Sequence, residues 1–394
     1  MPDSVLAYDW LAPRRVVFGW GRRAEIGALT ASISRRAWVV LGSRTLRDNG
    51  TWDALAASLD QAGVAATLCA TISREPQVAD VDPLVDQLRQ EQATADDVMI
   101  AIGGGSAIDL AKAAAALVTQ PFAGSVQDYL EGVGRGWQLT APGVPLIAVP
   151  TTGGTGTEAT KNAVISSLDP PFKKSIRADS MLPQAVLIDP ELSVSVPPQT
   201  TAFTGMDAIT QLIESYVCRK ATPVTRMLCV EGLRAALPRV VEAVQDGCSR
   251  RAREAMSHAA FLSGMALANS GLGLAHGVAA GLGVLAQVPH GQACAVMLPV
   301  ALRVNFETVQ PQLAQLARET LGVDDKDDAS AARRFVETIV GLCRELQIPT
   351  RLADLGLKRE QLTALVPASR GNSMNGNPRQ LNDSELLTLL EEIW

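Results

Sequence analysis

Histidine is scarce in this chain: three among 394 residues. Basic excess is absent as well, since 35 Lys and Arg stand against 41 Asp and Glu for a net charge of -6. Such a balance leaves no electrostatic footprint for nucleic acid, and no basic run marks a membrane surface. Any small anionic ligand must then be held locally, by helix N-termini and a few cations. The six cysteines lack C-x-x-C spacing and are expected to be reduced, mostly buried thiols, as suits a cytoplasmic protein. Residues 1–10 carry no basic stretch followed by an apolar core, so no secretory signal is expected. Internal repeats and low-complexity linkers are missing too. The longest apolar stretch, 271–288, is broken by glycines and a central His276, which argues for a buried helix rather than a membrane span.

What is present divides into two halves. Apolar runs at 37–41, 64–69, 97–102 and 144–149 alternate with helical patterns at 51–62, 78–92 and 107–118. Strands and helices alternating at these lengths predict a parallel sheet covered on both faces, that is, an α/β domain. After about Asp189 the strand pattern stops. Helices are expected at 197–214, 224–242, 250–269, 271–287, 296–308 and 329–346. The expected division is an α/β domain over 1–189 and an all-helical domain over 190–394, sharing a cleft directly.

Two loops at strand ends suit phosphate. The run 97–102 leads into Gly103-Gly104-Gly105-Ser106 and then a helix containing Asp109 and Lys112. Glycines let backbone N–H groups approach a pyrophosphate, and the helix N-terminus favours its charge. A plain strand-to-helix turn is the other reading of the same residues. The second loop, Pro150–Glu158, is rich in Thr and Gly, including Thr151, Thr152 and Thr155. It reads either as a donor-rich surface or as a polar turn capping the next helix. Two such loops at carboxyl ends of one sheet favour a ligand site.

The helical half offers four metal-ligating candidates. Asp207 and Gln211 are spaced i, i+4 and share one helix face. His276 and His290 are each followed by Gly and complete the set. One histidine alone in an apolar helix is usually a core residue, and His258 is read that way. The combination carries the metal reading.

These pieces, together with Phe18-Gly19-Trp20-Gly21, Gly205–Glu214, Gly271–Gly277 and Gly376-Asn377-Pro378-Arg379, give the chain a resemblance to the iron-containing (group III, metal-dependent) alcohol dehydrogenases along nearly its whole length. The resemblance implies a Rossmann-like dinucleotide-binding domain with a parallel sheet, an all-helical catalytic domain and a metal, Fe2+ or Zn2+, between them. It implies metal ligands Asp207, Gln211, His276 and His290. It also implies a pyrophosphate on Gly104, Gly105 and Ser106 with Asp109 nearby, a nucleotide cleft lined by Thr151, Thr152 and Thr155, and Asn162 and Lys174 near the ribose and nicotinamide. Two departures stand out. The family's usual second histidine ligand is Gln211 here, which weakens transition-metal binding and favours harder ions. A histidine four residues after His276 in many members is Ala280.

Where many NAD-using relatives place an Asp, this chain has Gly42-Ser43-Arg44. Room, a hydroxyl and a cation there point to NADP, with NAD as the alternative. The expected function is an alcohol dehydrogenase or aldehyde reductase acting on a small alcohol or aldehyde, with Asp207, His276 and His290 as the catalytic set. A dehydroquinate-synthase-like lyase on the same scaffold and a non-catalytic nucleotide-binding protein are the rivals. A homodimer is the default assembly.

Overall fold

Eight strands are found in the computed structural model, which describes residues 7–121 and 124–394. The absence of a secretory signal, read from residues 1–10, rests largely on residues outside that set. The strands are β1 (Arg15–Phe18), β2 (Arg36–Leu41), β3 (Ala65–Thr71), β4 (Val98–Gly103), β5 (Leu146–Pro150), β6 (Asn162–Leu168), β7 (Pro171–Arg177) and β8 (Ala185–Ile188). Six of them form a parallel sheet in the order β1-β8-β5-β4-β2-β3, while β6 and β7 make a separate antiparallel hairpin.

The apolar runs form strands because both sheet faces are covered. Trp38, Val40, Met99 and Ala101 enter one core, and Val39, Leu41, Ile100 and Ile102 enter the other. This period-2 division of an unbroken apolar run is the signature of a sheet buried on two sides. From β2 the chain runs outward to β3, returns across β2 to β4, and continues to β5 and β8. Direction therefore reverses between β2 and β4, and the crevice at their carboxyl ends is where open α/β sheets take ligands. The two strand ends are pressed together there. Gly42 N donates to Ile102 O at 2.7 Å, and a Cβ on Gly42 would stand 2.7 Å from Gly103 Cα.

From Pro198 onward the described residues form no strand. The main helices are Pro198–Val217, Pro223–Ala236, Arg250–Asn269, Leu274–Ala286, His290–Leu321 and Asp328–Glu345. They close over one apolar core containing Ile209, Leu233, Val278, Leu298 and Phe335, which also takes in Val186 and Ile188 of β8. Among the described residues no helix is long and apolar enough to cross a membrane. The 271–288 stretch becomes the helix Leu274–Ala286.

Three expectations are corrected. The helix expected over 224–242 is two, Pro223–Ala236 and Val240–Gln245, because Pro238 lies between them and cannot donate a helical hydrogen bond. The helix expected from 296 begins six residues earlier, at His290, and continues to Leu321 with a bend at Val309 two residues before Pro311. Strands β1, β6, β7 and β8 were not expected.

Candidate metal centre and coenzyme cleft

Asp207, Gln211 and Glu214 lie on one face of the helix Pro198–Val217, and all three are buried. Two carboxylates and an amide in an apolar core require partners. Glu214 finds them at the start of the helix Leu274–Ala286. It accepts from Ala275 N at 2.7 Å and His276 N at 3.4 Å, and its Oε2 lies 2.7 Å from His276 Nδ1. The negative charge suits the positive end of that helix. Gly273 just before it leaves room for both side chains, because a Cβ there would stand 2.9 Å from Glu214 Oε1 and 2.8 Å from Asn377 Oδ1 and would make them shift. Asn377 accepts from Leu274 N at 3.0 Å and exchanges two 2.9 Å bonds with Asn305. The C-terminal Gly-Asn-Pro-Arg motif thus fixes the end of the helix that carries His276.

With Nδ1 held by Glu214, His276 turns Nε2 to within 3.3 Å of Asp207 Oδ1. His290 stands at the start of its own helix, with Nε2 3.9 Å from the same oxygen, and the two imidazole rings meet edge to face at 5.4 Å. A fourth group joins them. Cys294, one turn after His290, places Sγ 3.7 Å from His290 Nε2. Ligand atoms of Asp207, His276, His290 and Cys294 all lie within 4.8 Å of one another.

Five buried atoms here have no hydrogen-bond partner: Asp207 Oδ1 and Oδ2, Gln211 Oε1, His276 Nε2 and His290 Nδ1. Buried polar atoms are nearly always paired, so the orphans on Asp207, Gln211 and His276 mark a missing partner, while the His290 orphan is Nδ1, the ring nitrogen other than the one that approaches Asp207 and Cys294. A carboxylate, two imidazoles and a thiol gathered within 4.8 Å of one another, with the Gln211 amide one helical turn from Asp207, fit a divalent cation. Burial pushes the His290 imidazole down to about 4, which keeps it in the neutral, ligating form. Burial disfavours charge on Asp207, yet His290 and His276 outweigh it and hold the carboxyl below its usual range. Burial likewise disfavours the His276 imidazolium, but Cys294, Asp207 and Glu214 outweigh it and raise this group well above 6.5. Burial drives the Cys294 thiol up to about 12.

The loops at the ends of β4 and β5 meet this cluster through Gln211. Its Nε2 donates to Thr155 O at 2.8 Å, leaving Oε1 for the cation side. Thr155 Oγ1 in turn lies 2.9 Å from where a Cβ on Gly105 would stand, and Thr152 Oγ1 lies 3.2 Å from the corresponding point on Gly104. Thr151 N donates to Gly103 O at 3.0 Å, locking the two loops side by side. Ser106 sits in the first turn of the helix Gly105–Leu117, whose N-terminus opens on this crevice without a side-chain cap. Ser43 and Arg44 follow Gly42 at the crevice edge, and the Arg44 side chain forms no ion pair within the described residues.

The remaining expected cofactor residues have the following surroundings. Asp109 is buried behind the loop, where it accepts from Thr157 Oγ1 at 3.3 Å and Val164 N at 3.1 Å. Lys112 Nζ beside it donates to Thr157 O at 2.6 Å and Thr160 Oγ1 at 2.9 Å. The pair braces the Thr-rich loop from below. Asn162 is half-buried at the start of β6. Lys174 pairs with Ile165 and shares the hairpin face of Phe172 and Ile176. Its neighbour Lys173 is the one that lies against the His276 helix, within 3.5 Å of where a Gly283 Cβ would stand, and pairs with Glu75 at 2.5 Å. His258 is apart from the cluster, edge-on to Phe18 at 5.7 Å.

The family profiles decide the assignment. The iron-containing alcohol dehydrogenase profile matches residues 13–190, and the C-terminal profile of the same family matches residues 201–394. The chain belongs to the iron-containing alcohol dehydrogenases. It is 36% identical over 345 residues to a probable alcohol dehydrogenase (EutG) of Salmonella typhimurium, covering 87% of this chain and 84% of that one. It is 30% identical over 386 residues to the NAD-dependent methanol dehydrogenase of Bacillus methanolicus, covering 97% and 99%. A crystal structure of 1,3-propanediol oxidoreductase superposes with a TM-score of 0.91 at 30% identity, over 98% of this chain and 100% of that one. Sulfoacetaldehyde reductase from Bifidobacterium kashiwanohense, solved with NAD+, superposes with a TM-score of 0.87 at 29% identity over 99% of both. The family is one of oxidoreductases, and the lyase alternative is not favoured.

Cys294 is the member of the cluster that sequence reading missed. Its signal was available: it follows His290 by four residues, the same spacing that linked Asp207 to Gln211.

Proposed function

We propose that this chain transfers a hydride between a nicotinamide coenzyme and a small alcohol or aldehyde, using Asp207, Gln211, His276 and His290 to hold a divalent metal, Fe2+ or Zn2+. The observation that carries this reading is the set of four orphaned buried atoms on Asp207, Gln211 and His276, with His290 Nε2 3.9 Å from Asp207 Oδ1, one bond away from the loop that flanks Gly104 and Gly105. When bound, the cation supplies Lewis acidity to the substrate oxygen. Asp207 supplies a fixed negative charge beside it. Glu214 fixes the His276 tautomer, so that Nε2 is the free nitrogen. The backbone amides of Gly104, Gly105 and Ser106 take the pyrophosphate, and Thr151, Thr152 and Thr155 line the nucleotide cleft. Ala280, one turn beyond His276, carries no proton. Proton exchange in this chain therefore runs through water or the coenzyme ribose.

The coenzyme reading stays with NADP. Its support is the exposed, unpaired Arg44 beside Ser43. Gly42 no longer contributes to that argument, because its missing side chain is required by the contact with Gly103. NAD is the alternative that the named relatives favour. The proposal includes the domain division at 189/190, a cytoplasmic location in keeping with six free cysteines, and a homodimer. Its test is His276→Ala. Turnover should fall to background while NADPH binding, followed by fluorescence, is retained. Unchanged turnover would defeat the metal role.

A further inference from the structure

We propose that Cys294 is a metal ligand in this chain, supplying a thiolate that makes up for the imidazole lost at Gln211. The inference rests on the metal-centre reading above and adds a donor to it.

The spacing of the donor atoms is the first argument. Around a tetrahedral zinc with bonds of about 2.0–2.3 Å, ligand atoms stand roughly 3.3–3.8 Å from each other. His276 Nε2 and Asp207 Oδ1 are 3.3 Å apart, Cys294 Sγ and His290 Nε2 are 3.7 Å apart, and His290 Nε2 and Asp207 Oδ1 are 3.9 Å apart. The first two distances fall within that range and the third lies just outside it, and ligand atoms of all four side chains, from three helices, lie within 4.8 Å of one another.

The second argument is the company the sulfur keeps. Cys229 is equally buried, but it is not among the groups gathered at the metal centre. Cys294 faces Asp207, His276 and His290, whose buried polar atoms include orphans on every one of them. A thiol proton can satisfy one acceptor here, such as His290 Nε2 at 3.7 Å, and leaves orphans on Asp207 and His276 that a shared cation would satisfy.

The third argument is chemical. Replacing an imidazole by a neutral amide oxygen moves a site toward hard ions. A thiolate on the same site moves it back, toward zinc and cobalt. Gln211 remains the weakest donor of the set, and its side of the cation is where a substrate oxygen competes most easily. Ligation replaces the thiol proton by the metal and releases that proton to solvent, so charge and atoms balance.

The test uses the full chain loaded with zinc or with cobalt, free of coenzyme. X-ray absorption at the zinc edge should show one sulfur at about 2.3 Å beside nitrogen and oxygen at about 2.0–2.2 Å. The cobalt form should show a near-ultraviolet sulfur-to-metal band. Both signals should vanish in Cys294→Ser, and zinc should leave that variant roughly tenfold faster or more. A shell of nitrogen and oxygen alone in the wild type overturns the thiolate and leaves the metal centre standing. A sulfur signal that persists in Cys294→Ser also overturns it. Failure of the wild type to take up either metal overturns both. Should Cys294→Ser fail to fold, the wild-type spectrum decides, since among the described residues no other cysteine joins these ligands.

Discussion

Glu214 stands behind His276, with Oε2 2.7 Å from Nδ1, and so decides which imidazole nitrogen looks at Asp207. The same carboxylate closes the first turn of the His276 helix through Ala275 N. Orientation of a ligand and capping of its helix are thus one interaction. Glu214→Gln keeps the shape and removes the charge. Metal affinity, measured by competition with a chromophoric chelator, should drop about 10–100-fold, as it does when such supporting partners are lost. An unchanged affinity would separate Glu214 from the centre.

Gly42→Ala puts a methyl group 2.7 Å from Gly103 Cα, inside the crevice between β2 and β4. Backbone lies on both sides, so neither neighbour can swing away. The unfolding midpoint should fall, with a cost of about 1–3 kcal/mol. NADPH affinity should fall with it, because Gly104 and the loop at Thr151 move together. A variant with the wild-type midpoint and affinity would show that the crevice is looser than these contacts indicate.

Arg44→Ala tests coenzyme choice. A guanidinium bond to a phosphate is worth about 1.5–3 kcal/mol, so the KM for NADPH should rise roughly tenfold or more while that for NADH barely moves. Equal changes for both coenzymes would remove Arg44 from the argument.

Glu158 gives a pH prediction away from the metal. Burial raises its carboxyl from 4.5 to about 7. The folded state then binds this proton more tightly than the unfolded chain does. Its contribution to stability is full below pH 4.5 and is lost as pH climbs through about 7. Glu158→Gln cannot ionise, so its thermal midpoint should decline less than that of the wild type between pH 5 and pH 7. Parallel curves for the two proteins would show that Glu158 does not titrate in this range.

Much of this architecture was legible because the signals were local. The runs at 37–41 and 98–102 are apolar at every position, a pattern that a sheet buried on both faces imposes. Their glycine stops marked the crevice. The strands that escaped notice are short or mixed. β1 and β8 have four residues each, and the β6–β7 hairpin interleaves Ser and Lys with buried Ile165 and Ile176 because one of its faces is partly open. The candidate pair Asp207 and Gln211 stood out by helical spacing. His290 and Cys294 have the same spacing, but the helix was expected only from Val296, so the two were not placed on a common face. The motifs bring Asp109 and Lys174 into view by chain order alone, and which way each side chain turns depends on packing that no motif contains. Gly42 teaches the same lesson, since a residue taken for a coenzyme signal is set by its backbone neighbour.

The central claim is that one cation is shared by Asp207, Gln211, His276 and His290 and is needed for turnover. The most direct measurement is metal content and aldehyde reduction on the same freshly purified sample, before and after chelation and after returning Fe2+ or Zn2+. The account predicts about one divalent ion per chain, loss of activity on its removal, recovery on its return, and NADPH binding throughout. Full activity in protein stripped of metal would contradict it.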